Sequence, residues 1–127
     1  MSERLLVLAP HPDDEVLGCT ALMSQTLADG GVVHVVVVTD GALGGPVQAR
    51  AQELQAGLAV LGLPAAECWA YPDDALPQSG EVLDRYRALV RRWRPTHLAL
   101  PAPGEAHPDH RRLTRGVIEA LTGHWAG

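Results

Sequence analysis

Phenylalanine is missing from this chain, and aromatic residues make up only 4% of its 127 positions. Leucine and valine must therefore fill its interior, and with 46% hydrophobic residues there are enough of them for one real core. Positive charge is also short: Lys and Arg total 10 against 15 Asp and Glu, a formal net charge of -5. That balance argues against a nucleic-acid surface or an anionic membrane as partner. No apolar run approaches the length of a membrane span, and Met1-Ser2-Glu3-Arg4 leads straight into a strand pattern with nothing that resembles a signal peptide. The only cysteines, Cys19 and Cys68, are far apart and lack metal-ligand spacing. They read as buried small hydrophobes of a reduced, cytoplasmic protein rather than as a disulfide. Repeats, low-complexity tracts and domain linkers are absent too, so residues 1–127 are expected to form a single domain.

What is present is an alternation of apolar runs and helical periodicity. Arg4 to Ala9 and the valine-rich Val32 to Val38 read as interior strands of a parallel sheet. Between them Val16, Cys19, Met23 and Leu27 recur at helical spacing until Gly30-Gly31. A Gly-rich loop from Thr39-Asp40-Gly41 to Pro46 precedes a helix over Val47 to Leu61, ended by Gly62. A short strand over Cys68 to Tyr71, a helix over Gly80 to Arg92 stopped by Pro95, and a strand over Thr96 to Leu100 follow. A last helix begins near Asp109, which reads as its cap, and carries Leu113, Val117 and Leu121 towards Gly123. Strand and helix alternating four times with short connections imply a three-layer α/β/α fold, Rossmann-like, with a mainly parallel sheet. Right-handed crossovers make the order 3-2-1-4 the natural one.

Two polar clusters interrupt this pattern. Pro10-His11-Pro12-Asp13-Asp14-Glu15 follows the first strand, and His107-Pro108-Asp109-His110 follows the fourth. In the expected order those strands are neighbours, and their carboxyl ends flank the crevice where open α/β sheets bind ligands. Carboxylates are tolerated at a helix start, but four ionisable groups within five positions repel one another unless a cation lies among them. Imidazole with carboxylate suits zinc or another divalent transition metal. His11, Asp14 and His110 could supply three ligands and leave a position open for water, whose pKa such an ion lowers to about 7. Asp13 is then placed to take a proton from that water, and His107 to protonate a leaving group or polarise a carbonyl. Hydrolysis of an amide or ester follows from such parts.

With these residues in view, the chain resembles the LmbE-like, PIG-L-type family of zinc-dependent N-acetylglucosamine de-N-acetylases. The resemblance covers most of the chain. It runs through Ala9-Pro10-His11-Pro12-Asp13-Asp14-Glu15, Thr39-Asp40-Gly41, Arg50 with Glu53, Leu61-Gly62, Tyr71-Pro72-Asp73, Arg94-Pro95 and His107-Pro108-Asp109-His110. It implies a hydrolase that removes acetyl from an N-acetylated sugar, with His11, Asp14 and His110 as zinc ligands and Asp13 as general base. His107 is similar to the family's general acid or oxyanion partner, Asp109 to the residue that orients its ring, and Arg50 to a substrate contact. The family usually has Ala before the first His, where this chain has Pro10, a change that leaves every functional side chain in place. Similar enzymes also continue well past the second motif, so the far wall of the substrate pocket is expected to be missing here. Strand four would then be an open sheet edge, an invitation to form a homo-oligomer.

Several residues have simpler readings. Asp40 is as well explained as a turn residue as by support of the site, and Asp73-Asp74 as a loop cap. Arg50 and Glu53, three apart, would on their own be a helix surface pair. His34 reads as a packed, hydrogen-bonded strand residue, Trp69, Trp93 and Trp125 as packing, and His97 falls at the wrong end of the sheet for the site. His124 lies in a tail expected to fray. Two other functions compete with deacetylation. One is a non-catalytic metal-containing scaffold or truncated fragment. The other, a nucleotide-binding module, is opposed by the missing Gly-x-Gly-x-x-Gly at the first strand–helix turn, where carboxylates would repel a pyrophosphate.

Overall fold

The apolar runs become the middle of the sheet. The computed structural model describes residues 3–10, 19–39, 47–60, 62–71, 76, 80–100 and 108–122, with backbone alone at 47–51 and 108–110. Strands β1 (Arg4–Ala9), β2 (Val32–Thr39), β3 (Glu67–Tyr71) and β4 (His97–Ala99) form a sheet in the order β3-β2-β1-β4. Every pairing in it is parallel. Leu5 to Ala9 are at most 2% exposed, as a strand covered on both faces requires.

The period-two alternation of β1 separates two cores. Leu5, Val7 and Ala9 join Val33, Val35 and Val37 of β2 on one face, against Met23 of α1 (Thr20–Ala28) and Leu54 and Leu58 of α2 (Val47–Val60). Leu6 and Leu8 join Val36, Val38 and Trp69 on the other. There they meet Leu83 and Tyr86 of α3 (Glu81–Trp93) and Leu113 and Val117 of α4 (Pro108–Leu121). This is the expected three-layer α/β/α arrangement.

Local chemistry sets the element ends. Gly30, at φ +83°, leaves α1 through a left-handed turn that a side chain would strain. Next to it a Cβ on Gly31 would meet the Glu3 carbonyl oxygen at 2.7 Å, so β2 enters beside β1 only through glycine. Helix α3 is capped after Trp93 by Arg94, itself left-handed at φ 54°, with Pro95 following. The Arg4 guanidinium donates to the part-buried Trp93 carbonyl through Nη2 at 2.6 Å and Nε at 3.0 Å. A cation on the last carbonyls of a helix also complements its dipole.

Some expectations need correction. The fourth strand is shorter than residues 96–100, because Thr96 lies before the ladder and binds Arg4 through its hydroxyl and amide. Asp109 is not the cap of the last helix: α4 starts at Pro108, so Asp109 lies inside the first turn. Proline suits that first position because its missing N–H would have had no partner there. Cys68 is exposed rather than buried, since β3 is a sheet edge, while Cys19 is half-buried and both thiols are free. His34 is packed and bonded as expected: its Nε2 lies 3.0 Å from Glu67 Oε1 and its ring stacks on Trp93. Trp69, 9% exposed, lies between Tyr86 and the Arg85 guanidinium and serves packing.

Candidate active site

Strand order decides where a site can form. The chain builds outward from β1 through β2 to β3, then returns to lay β4 on the other side of β1, so its connections diverge between β1 and β4. Leu5 pairs with His97, Leu6 with Leu98 and Val7 with Ala99, so both strands run to the same sheet edge. His11 comes two residues after the last residue of β1, and α4 opens with Pro108, Asp109 and His110 after the connection that leaves β4. His97 begins β4, at the opposite edge, as expected.

The described residues reach the site only in part. His11, Asp13, Asp14 and His107 lie outside them, as do Asp40, Asp73, Asp74, His124 and Trp125. Asp109, His110 and Arg50 lie on the described backbones of α4 and α2. The rotation of α4 is set by Leu113, Val117 and Ala120, each at most 1% exposed against the sheet. Position 110 is one turn ahead of Leu113 on the same helical stripe. The apolar face of α4 therefore determines where position 110 stands relative to β1.

The exit from β1 is held firmly. Thr39, the last residue of β2, is 2% exposed. It donates its backbone N–H to the Pro10 carbonyl at 3.0 Å and its hydroxyl to the same oxygen at 2.6 Å. Both lone pairs of that carbonyl are thus engaged at the residue before His11. In the sequence Thr39 opens a Gly-rich loop and begins the Thr39-Asp40-Gly41 stretch of the family resemblance, with no role of its own. A hydroxyl ending a run of valines was the available signal, but threonine fits a strand on propensity alone.

Tyr71, among the described titratable groups, closes β3 at this same edge, opposite Thr39, with its hydroxyl 3.4 Å from Glu81 Oε1. Among the described residues no group of three or more His, Cys, Asp or Glu could hold a metal ion. Burial pushes the Cys19 thiol up from its ordinary value, and at the more exposed Cys68 partial desolvation together with the Glu67 charge acts in the same direction. Both cysteines lie outside the two His/Asp motifs, whose donors are imidazole and carboxylate. Glu67 belongs to a separate network, accepting from Trp69 Nε1 at 2.8 Å and Arg92 Nη2 at 2.9 Å besides His34.

Comparison with known proteins gives a consistent result. The family model PIG-L, described as GlcNAc-PI de-N-acetylase, matches residues 6–121. Diacetylchitobiose deacetylase of Thermococcus kodakarensis is 30% identical over 133 residues, covering 94% of this chain and 49% of that protein. The structure of N,N'-diacetylchitobiose deacetylase from Pyrococcus horikoshii superposes with a TM-score of 0.85 at 30% identity, covering 94% of this chain and 49% of the other. A conserved protein of Thermus thermophilus gives a TM-score of 0.84 at 32% identity, covering 93% and 55%. The chain spans about half the length of the curated relatives it matches.

Proposed function

Because the chain belongs to the PIG-L family of GlcNAc-PI de-N-acetylases, we propose that it is a metal-dependent hydrolase that removes acetyl from an N-acetylglucosamine-type sugar. The observation that carries this reading is the parallel pairing of β1 with β4 at the reversal of strand order, with the two His/Asp motifs next along the chain from their carboxyl ends. The deacetylase relatives support the substrate class.

The donor set fits a divalent transition metal, because His11, Asp14 and His110 of the two motifs offer two imidazoles and a carboxylate. His11, Asp14 and His110 would hold the ion, with zinc preferred. When bound, it would make hydroxide available near neutral pH and polarise the acetyl carbonyl. Asp13 then accepts the proton of the attacking water. As the carbonyl carbon gains oxygen, the C–N bond breaks and His107 returns a proton to the leaving amine nitrogen, so acetate and a free amino sugar result. Asp109 orients the His107 ring, and Arg50 contacts the sugar. A small N-acetylated sugar is the partner we assign, and the cytoplasm the location. Among the described residues no helix is long and apolar enough to cross a membrane.

The test is acetate release from N-acetylglucosamine and N,N'-diacetylchitobiose by the full chain. Turnover should vanish with a chelator and fall at least about a hundredfold in Asp13→Asn, while that variant keeps its metal. Full activity in Asp13→Asn would overturn the assigned base. Metal binding with no acetate release from any N-acetylated sugar would favour a non-catalytic scaffold instead.

A further inference from the structure

We infer that Thr39 is a positioning residue for the metal site, acting through the Pro10 carbonyl on the ligand next in the chain. The inference rests on the reading of His11 as a ligand. A peptide unit is planar, so fixing the oxygen of the Pro10–His11 peptide also fixes the direction in which the chain enters His11. One donor would leave that plane free to rock about the bond, whereas Thr39 applies two, amide and hydroxyl, from a single rigid residue.

Thr39 is itself held from both sides. It extends the pairing of β2 with β1 beyond Ala9–Val37. On the other side it pairs with Tyr71, across a register shift that lies between Val37 and Thr39. The extra residue falls on β3, where Ala70 adopts φ 59°. Bulges of this kind commonly re-aim a strand end beside a site. Here the bulge brings Tyr71 opposite Thr39, so the donor that pins Pro10 is paired on each flank.

The distance gives the inference a graded test. A hydroxyl tolerates 2.6 Å from a carbonyl oxygen, but a methyl group needs about 3.3 Å. In Thr39→Val the added methyl would push the Pro10 carbonyl by about 0.7 Å or force the side chain off its rotamer, because residue 39 is buried. Thr39→Ala only releases the hydroxyl bond, and Thr39→Ser keeps it. Zinc affinity, read by competition with a chelating indicator on the full chain, should therefore fall about tenfold in Thr39→Val, equivalent to about 1.4 kcal/mol. It should fall less in Thr39→Ala and stay within about twofold of wild type in Thr39→Ser.

Thr26→Val is the control, since it deletes the hydroxyl-to-carbonyl bond of another buried threonine, Oγ1 to Leu22 O at 2.9 Å, away from the site edge. Its zinc affinity should equal that of wild type. Should Thr39→Val fail to fold, Thr39→Ala against Thr39→Ser carries the same comparison. Wild-type affinity in every Thr39 variant, or an equal loss in Thr26→Val, would overturn the inference while leaving the metal reading intact. A wild-type chain with no zinc affinity would overturn both.

Discussion

Two helical glycines should respond in opposite senses to the same substitution. Gly57 lies in the interior of α2, exposed, and a Cβ there would meet nothing within 4 Å. Gly57→Ala should gain the helix-propensity difference, about 1 kcal/mol. Gly116 lies in the interior of α4, where a Cβ would stand 3.0 Å from Tyr86 Cε2 and 3.6 Å from Leu83 Cδ2. Tyr86 is 1% exposed and stacked on Trp69 at 5.6 Å, so its ring has no free volume to enter. The same propensity gain of about 1 kcal/mol is then set against an overpacking cost of about 1–3 kcal/mol. Gly116→Ala should therefore lose about 1 kcal/mol net, with a melting temperature lower by about 3–5 °C for a chain of this size. Urea unfolding of wild type and both variants, fitted with a common slope, measures the difference directly. If Gly116→Ala is stabilised as much as Gly57→Ala, then α3 and α4 do not meet as closely as argued. The packing would then not fix the position of α4, which carries His110.

Two further outcomes follow from the sheet edge. Ala70 is exposed at φ 59°, a conformation that costs an L-residue about 1–2 kcal/mol, so Ala70→Gly should stabilise by about 0.5 kcal/mol even after glycine's entropic penalty. Ala56→Gly on exposed α2 should instead lose about 1 kcal/mol, and denaturant midpoints for the pair decide the matter. At Glu67 partial burial works to raise the carboxyl pKa, but hydrogen bonds from Trp69 and His34 and the charge of Arg92 outweigh it and hold the carboxyl below its ordinary value. A depressed pKa means that the stabilisation is complete above the unfolded carboxyl value of about 4.3 and is lost as pH falls through the folded one. The stability advantage of wild type over Glu67→Gln should therefore shrink as pH falls below about 4.5, as read by melting curves taken from about pH 5.5 downward.

Much of this fold was legible because its strongest signals agree with one another. The buried runs at Leu5 to Ala9 and Val33 to Val38 could only be interior parallel strands, and the helical stripes at Leu54/Leu58, Tyr86/Leu89 and Leu113/Val117 supply the two covering layers. Strand order then followed from handedness and proximity. What escaped the sequence were features without a side-chain signature. A left-handed alanine at position 70 carries no glycine to announce it, so the bulge that aligns Tyr71 with Thr39 was invisible. The exposure of Cys68 depends on β3 being an edge, which is a property of the sheet rather than of the residue. The same holds at the site. Two His/Asp motifs after strands one and four were plain in the sequence, but the hydroxyl that pins the carbonyl before His11 is a tertiary contact of a residue that looks like any strand threonine.

The central claim is that the two motifs meet on one metal ion. Elemental analysis of the purified full chain beside a His11→Ala, His110→Ala double variant tests it most directly. One equivalent of zinc, or of a similar divalent transition metal, is expected in wild type and none in the double variant. Equal metal content in the two proteins, or none in either, would contradict it.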